Sequence, residues 1–219
     1  MFIPVTDAEN LLSEAFVALD EQSNAPEPFN TAVASMHAAS LRDELAVSTI
    51  RPPRRLTPYS HAIGVEVEHP LPADGTIPVH SEGDTFGRLV LLYDHESEGT
   101  WQGDMRLVAF IQADVDHTMA EDQLMPEVVW SWLLEALEQR EAEYSVLGGT
   151  VTATSSMRFG EIGGPPRAYQ LELRASWTPD STDLTRHVQA FGDVLAATAG
   201  LPAEGTVSLA DLAARRNRP

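Results

Sequence analysis

At 219 residues the chain has the length of one domain, able to bury roughly 70% of its unfolded surface without metal or disulfide staples. Its 43% hydrophobic and 21% charged residues exclude disorder throughout, and the lack of cysteine excludes disulfides, thiolate metal sites and cysteine nucleophiles. A formal net charge of −19 disfavours nucleic acid and anionic lipid as partners at long range.

Met1 to Val5 lacks the basic and apolar regions of a signal peptide, and no apolar run approaches the ~18 residues of a membrane span. No membrane partner and a cytoplasmic location are therefore expected. All fourteen basic residues are arginine, a bias that a GC-rich genome explains.

Thr6-Asp7-Ala8-Glu9 reads as a capping box opening an amphipathic helix, and residues 1–24 are assigned to this N-terminal helix. Two prolines between Ser23 and Pro28 end it. A second helix is predicted over Phe29–Leu41 with Phe29, Val33 and Met36 inward. Leu45–Ile50 reads as a short strand, stopped by Arg51-Pro52-Pro53-Arg54-Arg55. Ile63, Val65 and Val67 alternate with Gly64, Glu66 and Glu68, the mark of a half-buried strand. Phe86–Tyr93 is almost continuously apolar, which predicts a central position in the sheet or cover on both faces. Met105, Leu107, Ala109, Ile111 and Ala113 alternate again.

Pro126 opens a helix reaching about Glu141, with Val129, Leu133 and Leu137 in its apolar stripe. Thr150, Thr152 and Thr154 alternate with Val151 and Ala153 on the next strand. Leu171, Leu173, Ala175 and Trp177 alternate on the last, leaving Gln170, Glu172, Arg174 and Ser176 on a wet face. A final helix carries Leu184, Val188, Phe191 and Leu195 in phase and ends at Gly200 and Pro202. The fold class is α+β: a single domain over 25–202, with an antiparallel sheet of about five strands and helices packed on it. Its order is α-α-β-β-β-α-β-β-α, and residues 203–219 form a flexible tail.

Several segments resemble a family of unknown function found in actinobacteria, domain of unknown function 3000. They are Arg88-Leu89-Val90-Leu91-Leu92-Tyr93-Asp94, Trp130–Leu137, Gly149–Thr152, Arg174–Pro179 and Ala199–Pro202. The resemblance implies an intracellular actinobacterial protein and brings no activity, ligand or catalytic residue. The element order is also similar to that of type III secretion chaperones and YbjN-type proteins, which implies a small acidic module that binds polypeptides and pairs with itself. That likeness concerns topology alone.

Candidate chemistry is sparse. Asp114, Asp116, His117 and Glu121 place carboxylates and an imidazole close enough for a divalent cation, against the plainer reading of an acidic strand-to-helix loop, which is favoured. Ser60-His61 lies on a strand, where neighbours point to opposite faces, so it does not read as a nucleophile and its base. The glycines at 160, 163 and 164 precede a strand and not a helix, which argues against a phosphate cradle. Arg51, Arg54 and Arg55 form a local basic patch, for which pairing with the protein's own acids is favoured over RNA or an acidic partner. Trp130 and Trp132 stand about 200° apart on their helix, so one meets the sheet and Trp132 is left for a partner or a second layer.

The leading expectation is a non-catalytic protein-binding or chaperone-like module without a cofactor, its partner another protein or a second copy in a homodimer. The alternative is a metal-dependent enzyme or small-ligand binder using the cluster at 114–122. A weaker one is a nucleic-acid accessory factor, with nucleic acid disfavoured by the overall charge.

Overall fold

The computed structural model describes residues 25–53, 56–68, 85–161 and 166–202. The elements in chain order are α1 (Glu27–Ala38), β1 (Leu45–Thr49), β2 (Tyr59–Val67) and β3 (Thr85–Tyr93). A 3-10 turn (His95–Ser97) and the one-turn α2 (Glu98–Trp101) lead into β4 (Met105–Asp114). Then come α3 (His117–Glu121), α4 (Met125–Gln139), β5 (Tyr144–Met157), β6 (Arg167–Pro179) and α5 (Thr185–Thr198).

The strands form one six-stranded antiparallel sheet in the order β1-β2-β3-β4-β6-β5. The α+β architecture is as expected, and the near-continuous apolar run of β3 does mark a central strand. The sheet has six strands where the α-α-β-β-β-α-β-β-α order counted five. The sixth is β1, the short strand read at Leu45–Ile50 but left out of that order, which pairs with β2 from Leu45↔Val67 to Thr49↔Ile63. Only Leu45 of β1 is buried, because an edge strand needs few anchors, and so its sequence alternates weakly. β5 also starts earlier than Thr150: Val146 takes a φ of 51° at a bulge between Ser145 and Gly148 and lets the pairing continue to Tyr144. The helix expected over 1–24 and the tail at 203–219 lie outside the described residues.

β4 alternates buried and half-exposed side chains at all ten positions, from Met105 to Asp114. Its buried set, with Leu171, Leu173, Ala175 and Trp177 of β6, forms one face. α1, α4 and α5 all pack there. Phe29 of α1 meets the rings of Tyr59 and Tyr93. Gly87 of β3 admits Phe191 and Leu195 of α5 so closely that a Cβ would sit 2.5 Å from the Phe191 ring. Gly149 of β5 does the same for Trp130 of α4. The core lies between this face and α1, α4 and α5. Each large apolar side chain fully buried there contributes roughly 1.5–3 kcal/mol relative to exposure.

Polar links help to hold the helical layer. Arg140, at the end of α4, makes a two-pronged pair with Asp193 of α5 at 2.6 and 2.8 Å. Inside the core, Trp177 donates its indole N–H to Nδ1 of His187 at 3.1 Å. His187 is only 2% exposed, and burial lowers its pKa to about 4. The ring is therefore neutral, with Nδ1 as acceptor.

Candidate functional site

Because paired residues share a face, the antiparallel register shows what lies on the side away from the helices. One row across the sheet is Gly64, Arg88, Phe110, Arg174 and Thr150. The next is Glu66, Phe86, Gln112, Glu172 and Thr152. A third holds Ala62, Val90, Val108 and Ser176. None of α1, α4 and α5 packs on this side.

Phe86 and Phe110 are half-buried there, with ring centroids 6.0 Å apart. The Arg88 guanidinium lies 5.7 Å from the Phe86 centroid, and that of Arg174 lies 5.5 Å from Phe110. Each is a cation–π contact at a partly exposed site, worth about 0.5–1 kcal/mol. Glu172 binds Arg174 at 2.8 Å and holds it in place. At one end of the face Arg106 donates to the hydroxyls of Ser176 and Thr178 at 2.8 and 3.1 Å, and Thr178 donates to the Trp101 carbonyl at 2.6 Å. Partial burial lowers the Arg106 pKa from its ordinary value. At the other end Gln170 donates to Asp114 at 2.9 Å.

The charge on this face is balanced. Arg88, Arg106 and Arg174 stand against Glu66, Asp114 and Glu172, three against three, on a chain whose formal charge is −19. Accessible aromatics, arginines and local neutrality are the composition of an interaction surface, where Phe and Arg are enriched and Asp and Glu depleted.

The residues singled out in the sequence are dispersed. Asp114 belongs to this face and is held by Gln170. Asp116 caps α3, accepting from the Met119 amide at 2.9 Å and from the Thr118 hydroxyl. These bonds lower its pKa, the Thr118 hydroxyl most. His117 pairs with Glu121 at 3.3 Å, one turn along α3, and stacks on Tyr169. Among the described residues no three His, Asp or Glu side chains converge as a cation site. Trp130 and Trp132 both pack against the core while half-buried, Trp130 over Gly149. Arg51 is exposed, and Arg54 and Arg55 lie outside the described residues. Ser60 and His61 do point to opposite faces: His61 turns to the helical layer, where its Nε2 lies 2.9 Å from Nε2 of His37 on α1. Burial first and the neighbouring His37 second lower the His61 pKa to about 4.

On the helical side a cleft of about 290 Å³ is lined by Arg42, Arg140, Gln189 and Asp193, among others. Its arginines are engaged. Arg42 binds Glu44 and the Pro202 carbonyl, and holds the Glu44 pKa down to about 2. Arg140 binds Asp193.

The Phe86–Phe110 pair leaves no local signal in the sequence. The alternation of β4 marks Phe110 as outward-facing, but nothing local brings Arg174, 64 residues further on, over its ring.

Fold and surface define an α+β protein with one open antiparallel sheet, helices on one face and an aromatic–arginine surface on the other. Residues 25–207 match the family described as "Protein of unknown function (DUF3000)", and the chain belongs to that family. No curated protein and no solved structure matches it. No helix among the described residues is long and apolar enough to cross a membrane.

Proposed function

We propose that this chain is a non-catalytic, chaperone-like protein-binding module of the actinobacterial cytoplasm, and that it holds a polypeptide on the open sheet face. One observation carries the reading: Phe86 and Phe110, flanked by Arg88 and Arg174, lie on a charge-balanced surface on the side of the sheet away from α1, α4 and α5. Aromatic rings and guanidinium groups are the side chains most often found at the energetic centre of protein interfaces. The fitting partner offers apolar side chains to the rings and carboxylates to the arginines. A nucleic-acid strand stacked on the rings is disfavoured by the −19 charge of the chain.

The test compares the full chain with a Phe110→Ser/Arg88→Glu variant. Affinity capture from the native host is read by quantitative mass spectrometry. A polypeptide enriched by the parent and lost with the variant supports the reading. The same captured set with both proteins sinks it. Titration with a labelled single-stranded RNA at low salt runs beside it. Tight binding there that disappears with Phe110→Ser would transfer the face to nucleic acid.

A further inference from the structure

Strand β5 is the last in the sheet order, and among the described residues its outer edge pairs with no other strand. Such an edge presents a row of open N–H and C=O groups, and proteins commonly blunt it with charge, proline or brevity. This one has none of these. It is 14 residues long, and from Tyr144 to Met157 it contains no charged residue and no proline. In a chain with 33 acidic residues, that is a neutral strip where a second equally acidic copy can approach.

The strip is also self-complementary. Thr150, Thr152 and Thr154 occupy one face, with Val151 and Ala153 between them on the other. Turned end for end about Thr152, the pattern reads the same. In that register Thr150 lies opposite Thr154 of a second copy, and Val151 opposite Ala153. The flanks agree as well. Val146 (38% exposed), Met157 (52%) and Phe159 (74%) are three of the seven large apolar side chains left exposed among the described residues. A two-fold axis at Thr152 sets Leu147 of one copy opposite Met157 of the other, with Val146 opposite Arg158 beside them. One apolar pair, Leu147 with Met157, then stands on each side of the axis.

From this we infer that the protein forms a two-fold dimer by antiparallel pairing of β5 with β5 of a second copy, centred on Thr152. The pairing joins two six-stranded sheets into one continuous sheet and removes the open edge from solvent. Both open faces then lie on the same side, doubling the proposed binding surface. The dimer does not depend on that surface having a partner.

The test uses the full chain and light scattering over a dilution series. The parent is expected at twice the chain mass. In Thr150→Lys/Thr154→Lys the centred register sets lysine opposite lysine twice, and dimerisation weakens roughly tenfold or more. This variant also lowers the net negative charge, so general repulsion cannot explain the loss. In Thr150→Lys/Thr154→Glu the same register sets lysine opposite glutamate, and the dimer is retained. Both positions are exposed, and circular dichroism checks that each variant folds. A monomeric parent overturns the inference. So does a dimer indifferent to the two lysines, or one broken equally by both variants.

Discussion

The two faces of one sheet differ in how much neighbouring structure depends on each side chain. On the helical face of β6, Trp177 is fully buried and its one polar atom is matched to His187, which must stay neutral to accept. On the open face Arg174 of the same strand is largely exposed, resting on Phe110 and held by Glu172. Neighbouring strand positions thus serve stability on one side and leave recognition chemistry on the other. Tight packing punishes changes on the first face, and solvent tolerates them on the second.

The contrast breaks hardest at the core. Trp177→Ala removes the largest fully buried side chain and orphans His187, and urea unfolding should register a loss of about 3–5 kcal/mol. Two adjacent glycines sharpen it. A Cβ at Gly149 would lie 2.3 Å from the Arg174 carbonyl oxygen, while one at Gly148 would meet nothing within 4 Å. Gly149→Ala should therefore cost about 1–3 kcal/mol, and Gly148→Ala should stay within about 0.5 kcal/mol in the same assay.

Acid should act through the helical face. His187 titrates at about 4 when folded against 6.5 when unfolded. Above pH 6.5 both states are neutral there. As pH falls from 6.5 towards 4, the unfolded chain binds a proton that the folded chain refuses, so stability falls. One such group costs up to about 1.4 kcal/mol per pH unit within that window. His61 adds a loss of the same sign. Carboxylates with lowered pKa, such as Asp183, contribute stability that is lost only at lower pH. His187→Gln keeps an acceptor for Trp177 but does not titrate, and its unfolding free energy between pH 7.5 and 4.5 should fall less steeply than the parent's. An unchanged slope would remove His187 from this account. The smallest effect belongs to the open face: Phe110→Ser should cost about 1 kcal/mol or less in stability, although it is expected to abolish partner capture.

Much of this was legible in the chain. Period-two alternation in β2, β4 and β6 gave their faces, because each has one face packed and one wet. The stripe of Leu184, Val188, Phe191 and Leu195 is buried as its phase required. Proline at the first turn of α4 located its start, whereas α1 begins at Glu27, two residues before the expected Phe29. β1 and the first half of β5 were harder, because edge strands with few buried positions leave little pattern to read. The candidate surface was harder still. Phe86, Phe110 and Arg174 come from three strands, and only pairing places them in adjacent rows. Asp114, Asp116, His117 and Glu121 show the converse, since closeness in sequence did not bring them to one point.

By itself the sequence determined local matters: which side chains a strand or helix turns inward, the antiparallel habit of short connections, and the excess of acid. These follow from backbone periodicity and composition, which need no distant partner. Tertiary structure alone decided the strand order, the sheet face turned away from α1, α4 and α5, the rings beneath Arg88 and Arg174, and the uncharged outer edge of β5. Those features depend on which strands become neighbours, and that is settled by the packing of the whole chain.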